Sequence, residues 1–160
     1  MSATAIASSH GVLTQNLLKR RAGSTIEEFR KHYIERHGKL AIPWFLANGV
    51  TYYAQTHRPL HWATDAARQK YESAIYLSDW DAVGEVAFAP GYGSFSNAQA
   101  YYQEVILPDE RRFLLDEAFK HMKVVDAESV AGEVVEFIVD GKAVVEYEEW
   151  RGVFGGYEKR

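Results

Sequence analysis

Residues 17–41 read LLKRRAGSTIEEFRKHYIERHGKLA, and the rest of the chain is best read outward from them. The stretch opens as the end of an apolar run, VLTQNLLKR (12–20), with the character of a strand entering a turn at RAGST. Ser24 with Glu27 makes a capping-box pattern at a helix start. The spacing predicts a helix over TIEEFRKHYIERH that stops at Gly38, and Pro43 stands against its running on. At about 100° per residue, Ile26, Phe29, Tyr33 and His37 fall on one stripe with Arg30 beside it. His32 and Glu35 lie on the far side, towards solvent. His37 therefore extends the apolar face inward at the helix end. It has two readings there: a ring bonded to a backbone carbonyl, or a group set for proton transfer.

Downstream, VTYYAQTH (50–57) is rich in β-branched and aromatic residues and predicts a second strand stopping at Pro59. Residues 58–74 form an insertion with a short helical piece, and the third strand falls in the second half of 75–90. After the turn residues PGYGS, Ser96 with Gln99 offers another capping box, opening NAQAYYQEVIL. Pro108 suits the first turn of a following helix, PDERRFLLDEAF, with Asp109 and Glu110 at its positive end. HMKVV (121–125) reads as a fourth strand. EVVEFIV, DG and KAVVEYEEW then read as a β-hairpin. The order is β-α-β-β-α-β plus an extension: an α+β, ferredoxin-like arrangement with helices on one face of an antiparallel sheet. Residues 1–11 read as a loose arm, 12–125 as the domain and 126–160 as the extension.

The chain has 160 residues, the size of one domain, with 47% hydrophobic and 25% charged residues. A dispersed net charge of −4 argues against a nucleic-acid partner. No apolar run approaches the roughly 20 residues of a membrane span, and the start lacks the pattern of a secretory signal. With no cysteine there is no disulfide, thiolate metal site or cysteine nucleophile. A cytoplasmic location is the simplest expectation.

No metal or cofactor is expected either. The histidines of HYIERH are five apart rather than four, and Pro59 separates His57 from His61. GYGS lacks the spacing and lysine of a phosphate loop, and no nucleophile elbow occurs. The aromatic share, 14%, fits a thick core or a pocket for a flat ligand.

Several side chains could serve such a pocket. By alternation His57 shares a strand face with Tyr53 and Gln55, and is either a partner base or a polar residue at a strand mouth. Tyr101, Tyr102 and Val105 form the inward stripe of the second helix, where a phenol could steady an enolate or simply pack. Phe29, Tyr33, Trp44 and Tyr53 are pocket wall or core. Asp81 and Glu85 could orient a histidine or act as acids, and a mid-strand Glu85 needs a partner or solvent.

The opening stretch resembles the EthD domain family through Lys19, Arg20, Gly23, Glu27, Glu28, Phe29, His37 and Gly38. WDAVGEVAF (80–88) and FLLDE before HMKVV look like later blocks of that family, while Lys39 stands where a proline often follows His-Gly. The resemblance implies a homodimer in which two ferredoxin-like units form a dimeric α/β-barrel. The layout is most similar to fungal polyketide-tailoring proteins, some of which are cofactor-free dehydratases of aromatic polyketide intermediates.

On that resemblance His37 is the general base, with His57 and Tyr101 as candidates for the other proton-handling roles. Phe29, Tyr33, Trp44, Tyr53 and Tyr102 would hold the substrate, and Asp81 and Glu85 would support the site. A polyketide cyclase or isomerase, a cofactor-independent monooxygenase and a non-catalytic carrier of a hydrophobic intermediate are the alternatives.

Overall fold

The computed structural model describes residues 8–114 and 122–159. Its centre is one antiparallel sheet of β1 (Thr14–Leu18), β2 (Val50–Trp62), β3 (Ala82–Phe88), β4 (Lys123–Asp126), β5 (Val130–Val139) and β6 (Lys142–Ala143). The order β4-β1-β3-β2 is that of a ferredoxin-like sheet, and β5 and β6 are added beyond β2. The fold is α+β and ferredoxin-like. Alternation along the strands gives the sheet two faces. Asn16, Leu18, Tyr53, Gln55, His57, Gly84 and Val86 face the main helices, in register across β1, β3 and β2. Gln15, Leu17, Tyr52, Ala54, Val83 and Glu85 face outward.

The first helical stretch differs from the expected one in length. It starts with a capping box at Thr25 and Glu28, one residue later than Ser24 and Glu27, because the Ser24 hydroxyl donates to the Arg21 carbonyl instead. α1 (Ile26–His32) leads into a π turn, Tyr33–His37, in which the Gly38 N–H donates to the Tyr33 carbonyl. α2 (Gly38–Ala47) continues from it without a break.

Gly38 is thus not a helix stop: its φ of −55° is helical. A Cβ at that position would sit 2.5 Å from the Phe137 ring and 2.8 Å from Gln55 Nε2, so the missing side chain lets the helix lie close on β2 and β5. Pro43 stays inside α2 because Leu40, Ala41, Ile42 and Trp44 are all buried around it. Burying large apolar side chains, about 2 kcal/mol each, outweighs the roughly 3 kcal/mol that a helix-interior proline costs.

The second helical stretch is also continuous: α4 (Gln99–Tyr101), a π turn over Tyr102–Ile106, and α5 (Leu107–Phe113) with Pro108 in its first turn. The expected Ser96–Gln99 capping box does not form. The residue before the helix is Ala98, with φ 54°, and the Gln99 side chain donates to the Phe95 carbonyl. β2 runs through Pro59 to Trp62, with a register shift against β5 between His57 and His61 that leaves the exposed proline outside the ladder.

The insertion forms α3 (Asp65–Tyr71) and covers part of the outer face, seating Ile75 and Trp80 on Leu17, Val83, Val125 and Val130. The DG hairpin turn is present, with positive φ at both Asp140 and Gly141, but its second arm is only β6. The acidic stretch after it folds as α6 (Glu148–Glu158), a helix the strand-like reading of KAVVEYEEW missed. Its Trp150 and Phe154 are buried against Leu40, Trp44 and Tyr101, and that contact decides the conformation. The end of PDERRFLLDEAF, His121 and the first seven residues of the arm lie outside the described residues.

Candidate functional site

A cavity of about 420 Å³ lies between the inner sheet face and the two helical stretches. It is within the size range of small-molecule pockets, roughly 300–1,000 Å³. Asn16, Leu18, Gly84 and Val86 form its floor, Tyr33, His37 and Tyr53 one wall, and Tyr102, Leu107, Glu110, Arg111 and Phe113 the other. Gly84 makes room in mid-strand: a Cβ there would meet the Tyr33 hydroxyl at 3.1 Å. Both π turns contribute to the walls, through Tyr33 and His37 on one side and Tyr102 on the other.

His37 is 7% exposed and flanked by the rings of Phe113 and Tyr33. Its Nδ1 is 2.9 Å from Oδ2 of Asp109, a carboxylate only 2% exposed. The same carboxylate receives His32 Nε2 at 3.0 Å and Arg36 Nε at 2.9 Å. Burial alone would raise the Asp109 pKa, but the hydrogen bonds from His32, His37 and Arg36 hold it well below the usual carboxylate range. An ionised carboxylate only accepts, so the His37 Nδ1–H donates to it, and Nε2 is the nitrogen on which a neutral ring would carry its lone pair. That nitrogen faces Glu110, whose Oε1 is 3.9 Å away. Burial, with Asp109 adding, pushes the Glu110 carboxyl above its ordinary value, against the opposing pull of His37 and Arg111.

The sheet supplies a second set of polar groups. Gln55 is fully buried; its amide donates to the Tyr33 carbonyl at 2.8 Å and to the Tyr53 hydroxyl at 3.0 Å. Its carbonyl accepts from His57 Nε2 at 2.9 Å. The Tyr33 and Tyr53 hydroxyls also influence one another electrostatically. Burial raises both phenol pKa values above the ordinary one. The Tyr53 hydroxyl accepts from Gln55, and its own O–H proton is left to donate to a cavity ligand.

Of the residues singled out in the sequence, His37, Tyr33, Tyr53 and Tyr102 meet at this cavity. Phe29 packs behind Tyr33 and Phe113. Trp44 stacks on Phe95 and Tyr102, outside the lining. Tyr101 is fully buried among α2, α4 and α6, and its hydroxyl donates to the Leu40 carbonyl at 2.6 Å. His57 is 1% exposed and sits behind Gln55, beside a second, more open concavity of about 410 Å³ with Arg30, Arg58 and Asp81. Burial, with Arg30 assisting, lowers its pKa to about 4. Asp81 binds the Arg20 backbone and guanidinium, and Arg58 lies 3.2 Å away. Glu85 faces outward and accepts from Gln15.

Asp109, Glu110, Gln55 and Asn16 were not legible as site residues. Asp109 and Glu110 read as acids at a helix start, and nothing local signals that His37, 72 positions away, meets them. His32, expected at the solvent side, is half-buried because α5 packs over it and offers Asp109 and the Phe113 ring.

The EthD domain family matches residues 21–117, more than half of the chain, and the protein belongs to that family. No curated protein and no solved structure matches it. No helix among the described residues is long and apolar enough to cross a membrane.

Proposed function

We propose that the cavity dehydrates a hydroxylated aromatic polyketide intermediate without a cofactor, with His37 as general base. The observation that carries this reading is the His37 ring itself, with Nδ1 tied to a buried Asp109 and Nε2 turned to the cavity wall. A carboxylate that fixes tautomer and orientation is what a proton-abstracting histidine needs, because the imidazolium formed is then paired. The reaction begins with removal of a proton α to a ketone. The Tyr53 hydroxyl, assisted by the Asn16 amide, steadies the enolate oxygen. Loss of a β-hydroxyl as water follows, and aromatisation of the ring drives the product forward. The apolar floor and the Tyr33, Tyr102 and Phe113 rings suit a flat fused-ring substrate.

The experiment uses 3-hydroxy-1-tetralone, which becomes the fluorescent 1-naphthol on losing one water. The wild type, under nitrogen and without additives, forms 1-naphthol, and His37→Ala lowers the rate on the order of a hundredfold. Turnover only when oxygen is admitted would replace dehydration with oxygenation. Binding of 1-naphthol with no turnover would leave a carrier.

We infer also that two chains pair through the outer sheet face. Val134, opposite Thr56 on that face, is 55% exposed beyond the part the insertion covers.

A further inference from the structure

From the geometry we infer that Glu110 is the acid partner of His37, and that the two act on one face of the ligand, so that water is lost by syn elimination. The inference rests on the dehydratase reading and adds a residue and a stereochemical course to it. Glu110 lines the cavity, and its Oε1 lies 3.9 Å from the only His37 nitrogen free of Asp109. Two groups that close cannot bracket a substrate. An anti elimination needs base and acid on opposite faces, with the thickness of the ring between them. A proton and a hydroxyl on the same face of adjacent carbons are separated by about the distance that the two side chains span.

The charged and titratable groups around Glu110 agree with this role. His37 and Tyr33 face it from the first helical stretch, Tyr53 from β2, and Asp109, Arg111 and Tyr102 from its own stretch. Asp109 is committed to three donors and keeps its charge, so the adjoining carboxyl is the one that holds a proton.

The step balances within the pair. His37 Nε2 takes the α-proton, and the electron pair moves through the enolate to form the carbon–carbon double bond. The C–O bond then breaks, and the Glu110 proton leaves with the hydroxyl as water. The imidazolium and the Glu110 carboxylate face each other, and proton transfer between them restores the starting state. No co-reactant is required.

The test has three readouts. Glu110→Gln keeps size and hydrogen bonding but has no proton to give. With 3-hydroxy-1-tetralone we expect its turnover to fall on the order of a hundredfold, while 1-naphthol binding changes less than threefold. Probe carrying deuterium at C2 cis to the hydroxyl should give unlabelled naphthol, and trans-labelled probe should keep the label. The Glu110 carboxyl, followed by ¹³C NMR and assigned by its absence from Glu110→Gln, should titrate above the ordinary glutamate range.

Undiminished turnover in Glu110→Gln overturns the acid role and leaves the dehydratase reading intact. Loss of the trans deuteron overturns the one-face geometry. Titration with the ordinary glutamates overturns the inference whatever the turnover. High titration without any turnover by the wild type upholds Glu110 as a proton-holding group and removes the dehydratase reading instead.

Discussion

Asp109 is the residue on which the site turns, because one buried carboxylate holds two histidines and an arginine in fixed positions. Breaking a buried charge cluster by removing one partner is costly, so Asp109→Asn should lower stability by about 3 kcal/mol in urea unfolding. It should also release the His37 tautomer, and turnover should fall further than ligand binding does. His57 has a different signature. The fold holds it neutral, with a pKa of about 4 against an ordinary 6.5, so the unfolded chain takes up its proton first. Its contribution is complete above pH 6.5 and is lost progressively as pH falls towards 4. Asp109 acts lower, since its folded value lies beneath the ordinary 3.8. Comparing wild type with His57→Gln should therefore show a shallower loss of stability between pH 6.5 and 4 in the variant. An identical slope would contradict the burial argument. At this scale the sequence was half legible: helix periodicity turned His37 inward and strand alternation aligned His57 with Gln55 and Tyr53. The partners of both were invisible, because they arise from packing between distant elements.

The two helical stretches share one device, a π turn followed by a proline, Pro43 in the first and Pro108 in the second, and each π turn places a cavity residue. Gly and Pro are read as stops because they are poor helix formers, and here burial overrides that preference. Gly38→Ala tests this, since a helix-stop glycine and a close-approach glycine behave oppositely. The added methyl meets the Phe137 ring and the Gln55 amide, so we expect a loss of about 1–3 kcal/mol with weaker 1-naphthol binding. An exposed stop would cost nothing at a helical φ. Tyr101→Phe separates core from site in the second stretch. It leaves the Leu40 carbonyl without its donor, so stability should drop by about 1 kcal/mol while turnover is unchanged. α6 escaped the sequence reading because alternating valines and glutamates mimic a strand. Only Trp150 and Phe154, set to pack on α2 and α4, distinguish it.

For the molecule as a whole, the β-α-β-β-α-β order and the sheet with its two main helical stretches on one face follow from turn residues and periodicity, which are local signals. The cavity does not, since its walls come from both helical stretches and three strands. Pairing of chains through the outer face predicts about twice the 18.2 kDa of one chain by sedimentation equilibrium, and Val134→Lys should shift the protein towards that single-chain mass. Presentation of His37 as a base to a ketone bound in the cavity can be tested without any leaving group. We would incubate 1-tetralone with the protein in deuterated water and follow loss of the C2 proton signal by NMR. Exchange well above the buffer rate is expected in the wild type and in Glu110→Gln, and none above buffer in His37→Ala. Exchange at the buffer rate in the wild type, or equal acceleration by His37→Ala, would contradict that role of His37.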